Sequence, residues 1–250
     1  MTTPPRPDVI LVGRRLPDNE NLGLGCLLGA LRDAEIPSEM QPLGGWPDLP
    51  RIAARVAEVR PRVVGLSLPD GGSSLLALGL GELLAEEGYP GAIVAGGGFA
   101  TLARHWLLER YGWLDAVVRH AGEVPLVAVA QRARAGRAGF DRIAGVTTRA
   151  GDGEPAPVMD ETALRVQATR GELPQILGRR AAHVAASRGC PGCCAYCGPA
   201  ALQDLERAEA RAGGHDPEAL RACGIAEMRS DRRRLSMIRS VGRPSLPVSQ

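Results

Sequence analysis

Cys190, Cys194 and Cys197 stand at C-x3-C-x2-C spacing in the run Cys-Pro-Gly-Cys-Cys-Ala-Tyr-Cys. Three thiolates this close on a Gly/Pro-rich loop can hold three irons of a 4Fe-4S cluster and leave the fourth iron without a protein ligand. Electron-transfer clusters mostly use four cysteines, so a three-cysteine loop points to an open iron where a small molecule binds. Structural zinc is the alternative, because Cys193 creates two abutting C-x2-C pairs. Zinc pairs are usually separated by roughly 15–20 residues, and abutting pairs can hardly wrap one tetrahedral ion from two sides. A redox loop is a further alternative. A disulfide is disfavoured, since nothing suggests export. Cys193 reads as a bystander, and Cys26 and Cys223 as small buried hydrophobes.

A second set of residues lies upstream. The glycine-rich turns at Gly23-Leu-Gly25 and Gly96-Gly97-Gly98 lack the further spaced glycine of a dinucleotide fingerprint. A different spacing fits: Glu20-x-Leu22-x-x-Gly25, then 41 residues, Ser67-Leu68-Pro69, then 27 residues, Gly97-Gly98. The neighbouring turn at Gly122-Glu123 belongs to the same group of strand-end loops.

These residues need a frame, and the first 145 residues supply one. Apolar runs at 9–12, 63–67, 92–95 and 116–118 read as buried parallel strands. Helical periodicity covers 22–34, 49–59, 74–87, 102–111 and 123–134, with Gly or Pro near several of the ends. Residues 39–43 read as an edge strand. The alternation predicts an α/β, doubly wound, Rossmann-like (flavodoxin-like) parallel sheet, in which ligands bind at the carboxyl ends of the strands. The loops after Val12, Ser67, Ala95 and Val118 share that edge. A hairpin is expected at 143–149 and 154–158, a connector over 161–180, a strand at 183–187 leading into the cysteine loop, and helices at 199–212 and from Asp216-Pro217 to Gly224. The expected domains are 1–140, then hairpin and connector 141–180, then 181–250.

Both residue sets are similar to known families. The cysteine spacing, with Tyr196 before the last cysteine, resembles radical S-adenosylmethionine (SAM) enzymes, and Ser187-Arg188-Gly189 and Gly198-Pro199 look like the lead-in and exit of that family's loop. The upstream spacing resembles the cobalamin (B12)-binding domain, whose pattern is D-x-H-x-x-G, S-x-L and G-G. Glu20 stands for the Asp, Leu22 for the His and Pro69 for the Leu. The family's His is the lower axial ligand to cobalt; Leu22 has no lone pair. That absence matches the cobalamin-dependent, methyltransferase-type radical SAM subgroup. The resemblance implies a cofactor set of 4Fe-4S cluster, SAM and cobalamin. Cys190, Cys194 and Cys197 would hold the cluster and Tyr196 would lie near the adenine of SAM. Leu22, Gly25, Ser67, Leu68, Pro69, Gly96, Gly97, Gly98, Gly122 and Glu123 would face cobalamin. It implies reductive cleavage of SAM to a 5'-deoxyadenosyl radical, hydrogen abstraction from an unactivated carbon, and methyl delivery by methylcobalamin. Some relatives use the same cofactors for rearrangement or cyclisation.

Composition bounds these expectations. The chain has 250 residues, 44% apolar and 23% charged, as expected of a globular protein. All 30 basic residues are Arg, which excludes a lysine Schiff base and a P-loop. A net charge of +2 and only 3% aromatics argue against nucleic-acid partners. There is no apolar leader and no run of about 18 apolar residues, so a cytoplasmic protein without a membrane is expected. The implied partners are an external electron donor such as flavodoxin or ferredoxin and an unidentified small-molecule or peptide substrate. The four histidines are scattered, with His120 on the ligand edge. Only 53 residues follow Cys197. The further βα units of a radical SAM barrel need roughly 30 residues each, on the order of 150 in all, so the barrel is expected to be incomplete and the Arg-rich end disordered. The alternative function is a non-catalytic cobalamin-binding module or sensor; a flavodoxin-like domain with a zinc or redox loop is the third.

Overall fold

The computed structural model describes residues 6–15, 19–136, 139–156, 166–171, 173–183, 194 and 196–215. Five parallel strands form its centre: β1 (Val9–Arg14), β2 (Ser38–Leu43), β3 (Val63–Ser67), β4 (Ala92–Gly96) and β5 (Ala116–Val118). Their spatial order is β2-β1-β3-β4-β5. The expected α/β, doubly wound sheet is therefore present, with residues 38–43 at its edge.

Alternation along each strand builds two cores. Ile10, Val12, Val64, Leu66, Ile93 and Ala95 face one side. There they meet α2 (Asp48–Val59) and α3 (Gly71–Glu86), with the short α4 (Gly98–Leu102) and α5 (Arg104–Arg110) beside them. Val9, Leu11, Val63, Val94 and Val118 face the other side, against α1 (Leu22–Asp33) and α6 (Glu123–Arg134). Helices on both faces leave no solvated side, which is why the strands read as continuous apolar runs. β1 is followed by a helix on one face and β3 by a helix on the opposite face. Their carboxyl ends diverge there, and that divergence is the topological switch point of this strand order.

The structure departs from expectation in three places. The single helix expected over 102–111 begins at Gly98 and is broken at Ala103, giving α4 and α5. Thr101 Oγ1 donates to Gly97 O at 3.0 Å, a back-bond that bends helices. The expected hairpin is shorter, β6 (Val146–Thr148) and β7 (Gly151–Asp152), and it is not separate. β6 pairs antiparallel with β5 and extends the sheet to seven strands. In the connector, β8 (Gln175–Ile176) and β9 (Arg179–Arg180) form a small hairpin. α7 (Gly198–Ala212) matches the helix expected after the cysteine loop. The expected strand at 183–187 lies outside the described residues except for His183, and so do Cys190, Cys193, the helix from Asp216, Cys223 and the Arg-rich end. Among the described residues, no helix is long and apolar enough to cross a membrane.

Candidate functional site

Three loops at the carboxyl edge are tied to one another by backbone. Leu68 N–H, just past β3, donates to Gly96 O at 2.7 Å. Leu68 O in turn accepts from Phe99 N at 3.1 Å and Ala100 N at 3.3 Å. Thr101 Oγ1 accepts from His120 N at 3.1 Å, joining the loop after β5. The loops after β3, β4 and β5 thus form one ledge. Asp70 ends its β3 portion by capping α3, accepting from Ser73 N at 2.7 Å.

The two glycines at the end of β4 do different work. Gly97 has φ +108° and ψ 176°, a region essentially closed to side chains. A Cβ there would lie 2.7 Å from Leu68 O and 2.9 Å from Leu68 C. The ledge itself therefore needs Gly97. Gly96 is different: a Cβ there would meet nothing closer than Val118 O at 3.6 Å. Packing does not require Gly96 to be bare. It pairs with Ser67, also half-buried, across β3 and β4. Small residues thus end two adjacent strands beside the switch point. Gly98 lies under Pro69 O, 3.2 Å from its would-be Cβ.

The loop after β1 reaches α1 through Asn21, whose side chain accepts from Leu24 N at 3.3 Å. Leu22 is the first residue of α1 and is half-buried. Gly25 admits the connector: Thr169 N donates to Gly25 O at 2.8 Å, and a Cβ on Gly25 would lie 3.0 Å from Thr169 O. Glu20 holds the next piece of chain. Its carboxylate accepts from His183 N at 2.6 Å and from Arg170. Arg170 also donates to His183 O at 2.8 Å.

The loop after β5 carries the most charge. Arg119 is 1% exposed. It donates to Gly153 O at 2.8 Å and Glu154 O at 3.2 Å, and pairs with Glu209 of α7. His120 Nε2 lies 3.2 Å from the same carboxylate and Arg104 lies 3.4 Å from it. Burial pushes the Glu209 carboxyl up, but the hydrogen bond to His120 and the charges of Arg119 and Arg104 outweigh it and hold the group below its ordinary value. Burial likewise opposes ionisation of Asp152. The hydrogen bonds from Arg104 and Thr147 prevail, and its carboxyl sits far below the usual range. Burial raises Glu206. Gly122 N-caps α6, with Leu27 3.1 Å from its would-be Cβ, and Glu123 is buried in the first turn, where a carboxylate suits the helix dipole.

Two of the three candidate cluster ligands fall among the described residues. Cys197 N donates to Cys194 O at 3.1 Å, and Cys197 is the N-cap of α7. Cys194 is exposed, Cys197 half-buried and Tyr196 93% exposed. Cys26 is half-buried rather than fully so. Leu202 of α7 packs 3.8 Å from the would-be Cβ of Gly98. Cys197 stands five residues before it, about 7.5 Å along the helix. Among the described residues, no group of three or more His, Cys, Asp or Glu is arranged to hold a metal.

The structure brings Ser67, Leu68, Pro69, Gly96, Gly97 and Gly98 together on one ledge, with Gly122 and Glu123 on the neighbouring loop. Leu22 and Gly25 lie on α1, across the switch point. His120, which sequence alone left open to a ligand, is occupied by Glu209. Sequence reasoning did not find Arg119, Arg104, Asp152 and Glu209, or the grouping of Glu20 with Arg170 and His183. The one available signal was an arginine placed directly after the apolar run Ala116–Val118.

Comparison with known proteins bears on this edge. Residues 9–130 match the B12 binding domain family. No match is found among curated proteins. Among solved structures, the cobalamin-dependent S-adenosylmethionine radical enzyme OxsB, with aqua-cobalamin and S-adenosylmethionine bound, is similar at TM-score 0.53 and 22% identity. The alignment covers 61% of this chain and 22% of that one. The radical S-adenosylmethionine methyltransferase TsrM from Kitasatospora setae, with tryptophan substrate and a SAM analogue bound, is similar at TM-score 0.50 and 21% identity. It covers 62% of this chain and 31% of that one. At such identities the likeness is one of fold, and this chain spans under a third of either structure.

Proposed function

We propose that this chain, whose residues 9–130 match a B12-binding domain, binds cobalamin at the carboxyl edge of its sheet and belongs functionally with cobalamin-dependent radical SAM methyltransferases. The observation that carries the reading is the pair of small residues, Ser67 and Gly96, that ends β3 and β4 beside the switch point. Gly96 lacks a side chain that the protein's own packing would tolerate. The residues fit the group: small side chains admit a bulky ligand, and nothing at Leu22 competes for the metal. Cobalamin would bind without an axial ligand from position 22. Leu22, Gly25, Ser67, Leu68, Pro69, Gly96, Gly97, Gly98, Gly122 and Glu123 would line or shape its surroundings.

Cys190, Cys194 and Cys197 would hold a 4Fe-4S cluster. The donor set suits it, since thiolates are the usual cluster ligands, and Cys194 lies one turn before Cys197, the N-cap of α7. The bound cofactors supply the radical and methyl-transfer chemistry, directed at an unactivated carbon; the protein supplies binding and orientation. Asn21 and Asp70 fix the entry of α1 and α3 at the edge. Arg119 holds the chain just after the hairpin, at Gly153 and Glu154, and α7 beside it. The substrate, the electron donor, the domain limits near 140 and 180 and the cytoplasmic setting belong to this same reading.

Electron paramagnetic resonance on protein reconstituted anaerobically with iron, sulfide and cobalamin, reduced with and without SAM, tests it. A reduced-cluster signal that shifts on adding SAM, beside cob(II)alamin without nitrogen splitting, is expected. A cluster indifferent to SAM beside bound cobalamin would reduce the chain to a binding module. Absence of both signals would refute the reading.

A further inference from the structure

We propose that Glu209 is a positioning residue that holds α7, and with it Cys197 at its N-cap, on the carboxyl edge of the sheet. The inference rests on the function proposed above. Its starting point is an imbalance in how α7 is held. The helix runs from Gly198 to Ala212, yet its buried residues are Ala200, Gln203 and Ala210. Two methyl groups bury little apolar area, and Leu202 and Leu205 are only partly covered. Apolar docking is therefore weak. An electrostatic contact adds to it. Glu209, with its side chain 15% exposed, meets Arg119, Arg104 and His120, which come from β5's exit and the start of α5.

The cations are prepared for it. Arg119 is held in place independently of α7, because it also donates to the carbonyls of Gly153 and Glu154. Arg104 is anchored by Asp152 at 2.9 Å. Burying a guanidinium is costly unless a carboxylate meets it, and removing that carboxylate leaves an uncompensated charge. Undocking of α7 is the relief available: it returns Arg119 and His120 to water without disturbing the two cores. Glu209 therefore acts on where α7 sits, rather than on whether the sheet folds.

A second carboxylate does the same on the other side of the cysteine loop. Glu20, in the loop after β1, holds His183 and Arg170. The chain on both sides of the cysteines is thus fastened to loops of one sheet edge, through Glu20 upstream and Glu209 downstream. Both anchors lie on the edge where cobalamin is proposed to bind.

The test compares the full chain with its Glu209→Ala, Glu209→Gln and Asp204→Ala variants. Asp204 lies on the same helix with its side chain 73% exposed, and serves as the local control. Amide exchange of 198–212 and tryptic cleavage after Arg211 report docking. Cobalamin affinity, read by absorbance, reports the domain. Loss of one buried charge-assisted contact should speed exchange and cleavage in E209A by about tenfold to a hundredfold, with E209Q intermediate. D204A should match the parent, and exchange in β1, β3 and β4 should not change. In cofactor-loaded protein, the dipolar broadening between cob(II)alamin and the reduced cluster should weaken in E209A. Equal protection of 198–212 in E209A and the parent would overturn the inference, as would exchange raised equally through the core strands. Failure of the parent to bind cobalamin would instead refute the proposed function, and the exchange data would still decide whether Glu209 holds α7.

Discussion

Replacing Gly97 and Gly96 one at a time by alanine separates what the ledge needs from what a ligand needs. Gly97 sits at φ +108° and ψ 176°, where a side chain costs about 1–3 kcal/mol. The new Cβ would also lie 2.7 Å from Leu68 O, a backbone atom that no rotamer change can move. That carbonyl accepts from Phe99 and Ala100, so shifting it breaks the joint between the loops after β3 and β4. A loss of about 2 kcal/mol corresponds to a melting temperature about 4–8 °C lower in a protein of this size. Gly96→Ala meets no atom closer than 3.6 Å and no positive φ, so its stability should stay within about 0.5 kcal/mol of the parent. Its methyl would stand at the strand end where the ligand is proposed to bind, and cobalamin affinity should fall by about tenfold, or about 1.4 kcal/mol. Thermal unfolding followed by circular dichroism and cobalamin titration followed by absorbance measure the two effects. An unchanged melting temperature in G97A would refute the account of the ledge. Unchanged cobalamin affinity in G96A would refute the placement of the ligand at the β3–β4 end.

Leu22→His would put an imidazole on the first residue of α1; the parent should show cob(II)alamin without nitrogen splitting, and splitting in the parent would mean that a nitrogen from another residue or from cobalamin's own dimethylbenzimidazole ligates cobalt. Cys197→Ala should abolish reconstituted cluster iron while leaving cobalamin binding intact; retention of full iron would show that Cys197 is not a ligand. Asp152→Asn should lower the melting temperature at pH 7, because the Asp152 carboxyl is held below its ordinary value by Arg104 and Thr147 against the cost of burial. A depressed carboxylate contributes stability above its unfolded value, about 3.9, and loses it as pH falls toward the folded value. The gap between D152N and the parent should therefore close as pH drops below that point, and a gap independent of pH would contradict the ion pair. Glu206 has the opposite sign: burial raises it, so Glu206→Gln should stabilise at pH 8 and lose that advantage below about 4.3, the unfolded value.

The sheet was legible because its order comes from local rules. Apolar runs such as Val63–Ser67, bounded by glycine and proline, can only be strands covered on both faces, and the alternation with helices leaves a parallel, doubly wound arrangement. The cysteine spacing and the glycine spacing were also local. Residue type alone decides that a thiolate can ligate iron, that Leu22 cannot ligate cobalt and that a chain without lysine cannot form a Schiff base. Where the chain bends depended on contacts at a distance. The break at Ala103 follows Thr101, whose hydroxyl donates to Gly97 O and accepts from His120 N, 19 residues on, and three successive glycines gave no sign that a helix would begin there. Only the tertiary structure separated Gly97, which the backbone of Leu68 requires, from Gly96, which nothing in the protein requires. Only it brought Glu209 to Arg119 and Glu20 to His183, pairs 90 and 163 residues apart. An ion pair between distant residues leaves no periodicity and no motif in the chain; it exists because the fold lays two loops and a helix on one edge of a sheet.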